Sequence, residues 1–426
     1  MNKRPAISRF TVASGLTVLL LCARLASAPA LSDPVSGIAP PSLYLDVPWL
    51  YLILAPLFTL WDGVSMLSMT RLVGFLTGMV VLYLFWRIVR AFLLRYGRVP
   101  GAPRVSVLRE TRALVVSLAL LAGFVIIGAT WHRPMLSLRG AGPEDIVVDF
   151  HSHTNVSHDV RDTWMDGFDT EASRRWHTRA GFDAAFLTDH NTVAGLEARE
   201  ESGARNQGPG TSQREQAATC PGIEVSAWRA HIVLLGSTVP VDRNGYKSFD
   251  GLLALLATSD SAYGALSVAS LPEYRRYHWH RLDQLTAAGL DGFEIVNASP
   301  KANELPRAEV DSVIALARAR NKFVVGVSDS HGWGATSMVW NLVRVPVGTG
   351  ANPCPAILGR LRTGFQAVRV VERHRLRPDD WWPVWLTPLG VVWETWRSMG
   401  WALAVAWLIW IWAWALSRHW NSARHI

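Results

Sequence analysis

The stretch Val147–Asp159, VVDFHSHTNVSHD, decides how this chain is read. An apolar run ends there, and His151, His153, His158 and Asp159 follow within nine residues. Side chains alternate along a strand, so His151 and His153 leave the end of an Ile146–Phe150 strand on one face. Two imidazoles on one face can share a metal ion, and α/β folds gather ligand sites at the carboxyl ends of their strands. Taken alone, the pattern also describes two histidines in an exposed loop.

The same arrangement recurs downstream. FLTDHNT sets Asp189 and His190 after an apolar run, and GIEVS carries Glu224 in another. His231 opens HIVLLG, and KFVVGVSDSHG places Asp329 and His331 after a late run. In register, such residues would meet where the loops after the strands converge. Further apolar stretches, ALSVAS, GFEIVN and FQAVRVV, alternate with helical patterns at Thr170–Ala180, Phe249–Ala257 and Arg307–Arg320. That alternation predicts a largely parallel sheet or barrel. The Gly- and Gln-containing stretch Glu201–Thr219 reads as an exposed loop.

The flanks differ in composition. Half of the 426 residues are hydrophobic, only 18% are charged, and Trp reaches 21. Trp enrichment suits a membrane interface, where the ring is buried and the N–H stays wet. The net charge of +8 comes largely from arginines beside apolar segments, which fits a membrane better than nucleic acid. No basic-aromatic platform stands out either. Three cysteines, Cys22, Cys220 and Cys354, form no CxxC, so a thiolate zinc site is not expected and the redox compartment is left open.

Phe10–Ala30 has the basic start and small-residue end of a signal peptide, or of a first span. Leu72–Phe92, Ala113–Trp131 and Trp401–Leu416 read as further spans, whereas Pro48–Trp61 is short and holds two prolines. Seven arginines against Glu110 between Arg87 and Arg112 mark a cytoplasmic loop. Three N-terminal spans agree with that count and four do not. Pro48–Trp61 is therefore expected at the interface, or the first run is removed. The polar middle region then lies outside.

The ordered motifs resemble those of the PHP (polymerase and histidinol phosphatase) superfamily of metallohydrolases. They are His151-Ser152-His153-Thr154, Thr188-Asp189-His190, Gly222-Ile223-Glu224 and Ser328-Asp329-Ser330-His331-Gly332. The wording TDHNT, GIEVS and SDSH is similar to the carbaryl hydrolase-like branch. The resemblance covers about Asp145–Val371 and implies an α/β fold, a distorted (β/α)7 barrel, here flanked by transmembrane helices. It divides the chain into a membrane region over 1–131 with about three helices, a metallohydrolase domain over 145–375, and a Trp-rich interfacial segment with a last helix over 381–426.

The resemblance implies two or three divalent ions, held by His151, His153, His158, His190, Glu224, His231, Asp329 and His331. Glu224 would bridge, Asp329 and His331 would also serve catalysis, and Asp189 would orient His190 from behind. His158 stands where many relatives have aspartate and ranks ahead of Asp159. Leu271 stands where a ligand histidine is common, so Glu273, His278, His280 or water would have to serve. Glu294 is expected to play a supporting role. Mixed His and carboxylate ligation suits Mn, Zn or Fe. The expected function is a membrane-anchored hydrolase with a small ester substrate, a phosphoester first. Carboxylester, carbamate or amide hydrolysis, and a non-catalytic sensor or scaffold, are the alternatives. Arg161, Arg229 and Lys301 are candidate phosphate contacts, set against plain exposed charge.

Overall fold

The computed structural model describes residues 9–95, 107–130, 133–160, 167–196, 216–346 and 352–422. Arg161 and most of the Glu201–Thr219 stretch lie outside the described residues. Twelve strands are described: β1 (Leu31–Ser32), β2 (Tyr44–Asp46), β3 (Ser137–Arg139), β4 (Asp145–Ser152), β5 (Ala184–Leu187), β6 (Ala218–Ala227), β7 (Ala230–Leu235), β8 (Leu266–Ala269), β9 (Gly292–Asn297), β10 (Phe323–Val327), β11 (Val339–Arg344) and β12 (Val368–Arg373). All but β2 and β3 form one sheet, ordered β1-β12-β11-β4-β5-β6-β7-β8-β9-β10.

Strands β4, β5 and β6 are parallel, as are β8, β9 and β10. The chain reverses at β7, which is antiparallel to both neighbours. Only Trp228 and Arg229 separate β6 from β7, and a two-residue link can close a hairpin but not a parallel crossover. The two apolar runs GIEVS and HIVLLG are therefore one hairpin. Its antiparallel register puts the first turn of β7, with His231, at the same rim as the last turn of β6.

The sheet curls until β10 meets β4. Asp329 N–H donates to His151 O at 3.0 Å, and His153 N–H donates to Ser330 O at 3.1 Å. The buried Asn341 on β11 reinforces this closure. Its Nδ2 donates to Val148 O on β4 and Gly326 O on β10, and its Oδ1 accepts from Gly326 N. The expected barrel thus takes a curled form, with the antiparallel strands β11, β12 and β1 continuing the sheet beyond β4. β5, β8 and β10 are buried along their whole length, which is why they read as unbroken apolar runs.

The helices Arg9–Leu25, Trp49–Ile53, Ala55–Ser65, Thr387–Ser398 and Trp401–Ser422 build a separate layer. Ala13, Leu20, Tyr51, Phe58, Trp396 and Leu403 share its core. The segment expected at the interface, Pro48–Trp61, is folded into this layer and is buried at Tyr51 and Phe58. Just beyond it, buried Asp62 ties the layer to the sheet. Arg373 Nη1 lies 2.9 Å and Arg133 Nη1 3.3 Å from its carboxylate, and Tyr51 OH donates to it at 2.8 Å. A buried carboxylate needs such paired charge.

Each of the four expected spans contains helix, the first only as far as Leu25, yet among the described residues only Met69–Val89 is long and apolar enough to cross a bilayer. The apolar part of Val107–Thr130 runs over Thr111–Phe124, and that of the last helix over Trp401–Ser417. At 1.5 Å per residue, apolar stretches this short reach about 25 Å or less of a ~30 Å core, although the helices that hold them have 24 and 22 residues. By this measure the multi-pass expectation is not supported. Cys220 on β6 and Cys354, which opens the helix Cys354–Leu361, form a disulfide.

Candidate metal centre

The carboxyl ends of β4, β5, β6 and β10, with the start of β7, deliver their polar side chains to one rim. Three groups of donors have ligand atoms within 4.8 Å of one another: His151, His153 and Asp329; His153, Asp159, His190 and His331; His190, Glu224 and His231. His151 Nε2 and His153 Nε2 face each other at 3.0 Å. Asp329 Oδ1 lies 3.6 and 3.2 Å from them, and Glu224 Oε2 3.3 and 3.5 Å. The same Glu224 Oε2 is 2.9 Å from His190 Nδ1, while Oε1 is 3.0 Å from His231 Nδ1. One carboxylate thus faces two of the groups.

The donor set passes a test of fit to a cation. His151 Nδ1 donates to Glu294 Oε1 at 2.6 Å, which leaves Nε2, 3.0 Å from His153 Nε2, as the nitrogen able to give its lone pair to an ion once its proton is displaced. Glu224 Oε2 and His190 Nδ1 are both buried and neither has a hydrogen-bond partner. Buried polar atoms are rarely left so, and when several point at one place an ion is the economical partner. Nitrogen and carboxylate donors without thiolate leave Mn, Zn and Fe equally suited.

The electrostatics are those of a cage closed by protons. Burial opposes charge on Glu224, but the imidazoles of His151, His190 and His231 hold its carboxyl well below the usual range. Asp329 is depressed in the same way, against burial, by His151, His153 and His331. Burial would lower His190, yet the nearby carboxylates of Asp159 and Glu224 push it up to about 10. His331 is likewise raised to about 9 by Asp159 and Asp329. His151 and His231 are raised by carboxylates that outweigh burial, whereas burial leaves His153 lowered.

Of the expected ligands, His151, His153, His190, Glu224, His231, Asp329 and His331 come together, and His158 does not. His158 is exposed and only lies near His190, with tilted rings whose centroids are 4.9 Å apart. Asp159 takes the position instead, with Oδ2 3.1 Å from His190 Nε2 and 3.0 Å from His331 Nε2. Both residues approach His190, but only the aspartate also reaches His331, and the sequence alone does not describe that turn. Asp189 also differs from expectation. Its carboxylate accepts from Thr154 N at 2.6 Å and Thr154 Oγ1 at 2.7 Å, so it fixes the turn after His153 and does not touch the His190 ring.

The supporting residues were only partly visible in the sequence. Fully buried Glu294 holds His151 with Oε1, while its Oε2 accepts from Leu271 N, Asn297 Nδ2 and Ser270 Oγ. Leu271 is buried and offers only its backbone. Glu273, beside it, approaches His231 Nδ1 to 4.0 Å, while His278 donates to Arg229 O. Asp149 was missed. It accepts from His177 Nε2, Ser328 N and Ser328 Oγ, linking β4 to the strand end that carries Asp329. Its signal was two-residue alternation, since Asp149 shares a face with His151 and His153. Asp329 itself is held in left-handed backbone at φ 45°, a conformation that costs an L-residue about 1–2 kcal/mol. Lys301 lines the cavity over these groups, and Arg229 stacks on Trp228 and Tyr277.

A rim of histidines and carboxylates on a curled α/β sheet defines a candidate divalent-metal centre. No protein-family model matches the chain, and no curated protein matches it. Among solved structures, it is similar to a protein described as a metal-dependent phosphoesterase from Bifidobacterium adolescentis, with a TM-score of 0.30, 18% identity, and 44% of this chain and 88% of that one covered. An amidohydrolase from Chromobacterium violaceum with bound sulfate and no metal gives 0.30, 17%, 55% and 98%. A lesion-specific endonuclease from Pyrococcus furiosus gives 0.34, 13%, 55% and 60%. Overlap this loose carries neither fold nor activity across, so the chemistry rests on this chain's own residues.

Proposed function

We propose that this protein is a metal-dependent hydrolase, with phosphoesters as its first substrate class. The observation that carries this is the convergence of eight imidazole and carboxylate side chains, with Glu224 Oε2 and His190 Nδ1 buried at its centre, 2.9 Å apart yet not hydrogen-bonded. His151, His153, Glu224 and Asp329 would hold one ion, and His190, His231, Asp159 and His331 would complete the cluster around the shared Glu224. When bound, such ions acidify water toward neutral pH and neutralise charge on attacking and leaving oxygens.

The chain's own groups supply the remainder. His331 is one-third exposed to the cavity; its Nδ1–H donates to Asp329 O at 2.7 Å and its Nε2 lies 3.0 Å from Asp159 Oδ2, so it is held in place to complete the cluster beside Asp159. Lys301 on the cavity wall supplies positive charge for the non-bridging oxygens of a phosphoester, which carry charge in both ground and transition states. A carboxylester or amide has no such charge in its ground state, which is why it ranks second.

The proposal includes anchoring by Met69–Val89 with the 24-residue helix Val107–Thr130 as the return crossing and the barrel outside the cytoplasm, because Asp62 before the first crossing meets Arg133 and Arg373 after the second. Arg87 and Arg90 at the far end of the first crossing favour the cytoplasmic side, and the Cys220–Cys354 pair suits an oxidising compartment. The test is full-length protein loaded with Mn or Zn and assayed on phosphomonoesters, phosphodiesters and carboxyl esters, with His151→Ala and Asp329→Ala as controls. Metal-dependent phosphoester turnover lost in both variants is the expected result. Turnover confined to carboxyl esters reverses the ranking, and a chain that binds no metal and turns over nothing is a scaffold.

A further inference from the structure

The cavity over the metal centre, about 590 Å³, has Glu224, His231 and Asp329 on its wall and Ser65, Met66 and Met69 on its rim. Met69 is also the first residue of the one helix, among the described residues, that is long and apolar enough to cross a bilayer. This is no passing contact. Met69 N–H donates to Pro300 O at 2.8 Å, beside Lys301, and Thr70 N–H donates to Glu304. The start of the span is therefore part of the mouth of the site.

The level of the bilayer surface is marked independently. Arg71, two residues into the helix, donates to the carbonyls of Pro378, Asp380 and Trp382, which fixes the Trp-rich segment against it. Gly74 and Gly78 then let that segment press on the helix. A Cβ on Gly74 would lie 2.5 Å from Val384 O, and one on Gly78 2.4 Å from Trp385 O. Trp381 beside the Arg71 contact is 75% exposed, and Trp385 is 51% exposed. Exposed indoles beside an apolar helix belong at the headgroup layer. Nine residues separate Met69 from Gly78, about 14 Å of helix, so the rim stands within about 14 Å of the deeper indole.

A second cavity of about 570 Å³ shares Met69, Glu273 and Lys301 with the first and extends it along the same surface. Its lining includes Arg276, Tyr277 and Trp279 together with Glu304 and Glu309, of which Glu309 is paired with Arg275 at 2.6 Å and Glu304 accepts from Thr70 N–H. Neither Arg276 nor Lys301 has an ion-pair partner among the described residues, and Arg276 lies over the Tyr277 ring at 5.0 Å. A trough that joins unpaired cations, aromatic rings and the start of a span suits a molecule with an anionic head and an apolar tail.

We propose that the substrate is a lipid phosphoester presented by the bilayer in which the protein is anchored. This rests on the hydrolase and anchoring readings above. The tail stays in the bilayer while the headgroup reaches the metal centre past Met69. Water's oxygen forms the new bond to phosphorus, the bond to the leaving alcohol oxygen breaks, and a proton from the water passes to that oxygen. No redox partner is needed.

The test uses the full chain, loaded with Mn and reconstituted in vesicles of equal parts phosphatidylcholine and phosphatidylglycerol. Phosphatidylglycerol hydrolysis is compared with that of a water-soluble glycerophosphodiester at the same phosphoester concentration. Confinement to one surface should favour the lipid by about tenfold or more. Trp381→Ala with Trp385→Ala, both exposed, should lower lipid turnover about threefold to tenfold and leave the soluble substrate unchanged. Equal or faster turnover of the soluble ester overturns this inference and leaves the hydrolase reading standing. Turnover of neither overturns this inference, and the hydrolase reading then rests on the phosphomonoester and carboxyl-ester assays above. A chain that does not float with the vesicles removes the anchor, and the lipid substrate falls with it.

Discussion

Glu294→Gln replaces one oxygen by an NH₂ group in a fully buried site, and the structure says which one. Oε2 accepts three hydrogen bonds, from Leu271 N at 2.9 Å, Asn297 Nδ2 at 2.9 Å and Ser270 Oγ at 3.3 Å. The amide oxygen must stay there, so the NH₂ group turns to His151 Nδ1, which now donates across 2.6 Å. Two donors cannot face each other at that distance. The imidazole is driven to its other tautomer, with the proton on Nε2, and loses the lone pair aimed at the metal position. Disrupting the carboxylate behind a ligand histidine lowers metal affinity by about 10–100-fold. That corresponds to about 1.4–2.8 kcal/mol. The fold should persist, because the side chain keeps its volume and three of its four contacts. Chelator competition gives the metal affinity, circular dichroism checks the fold, and nitrogen NMR of the imidazoles reports the tautomer. A folded variant with unchanged affinity and the proton still on Nδ1 would refute the assigned role of Glu294.

Three further outcomes follow from the same geometry. Asp159→Ala should weaken metal binding by more than about tenfold, whereas His158→Ala should change it by less than about twofold; the reverse order would restore His158 as the ligand. In the metal-free protein His190, near 10, and His331, near 9, both sit above the ordinary histidine value, so their protons add stability that is complete below about pH 6.5 and lost as pH rises through 9 to 10. Metal must displace those protons, so affinity should rise from pH 6 toward 9 with proton release in calorimetry, and affinity independent of pH would contradict the assignment. The Cys220–Cys354 link closes a separation of 134 residues, and Cys220→Ser should lower unfolding stability by about 2–5 kcal/mol in urea titration. If reductant leaves the wild-type transition unmoved, the pair is not oxidised in the protein.

Much of the sheet was legible because buried strands announce themselves. The runs around Val147, Phe186, Val233, Val268, Ile295 and Val325 are each a strand, since a strand covered on both faces must be apolar throughout. β11 was missed. VWNLVR carries Asn341 at its middle, and an asparagine there makes sense only where Val148 and Gly326 both come within reach of one amide. The flanks misled for a related reason. Hydropathy sees apolar side chains and not their partners, so Arg9–Leu25 and Trp401–Ser417 resemble spans although they also pack against each other and the helix Thr387–Ser398.

What the sequence determined by itself was the donor inventory and its order: HxH, DH, a glutamate inside GIEVS, a histidine two residues past a two-residue link, and DSH. Strand periodicity was enough to put His151 and His153 together, because that is a local rule. Only the tertiary structure decided that Asp159 enters the cluster in place of His158, that Asp189 serves Thr154, that Glu294 fixes the His151 tautomer, and that the candidate span begins at the mouth of the site. Each of these depends on the direction of a side chain at a turn, or on segments tens to hundreds of residues apart. Such directions follow from closing the sheet between β4 and β10, and no rule of spacing within one segment contains that closure.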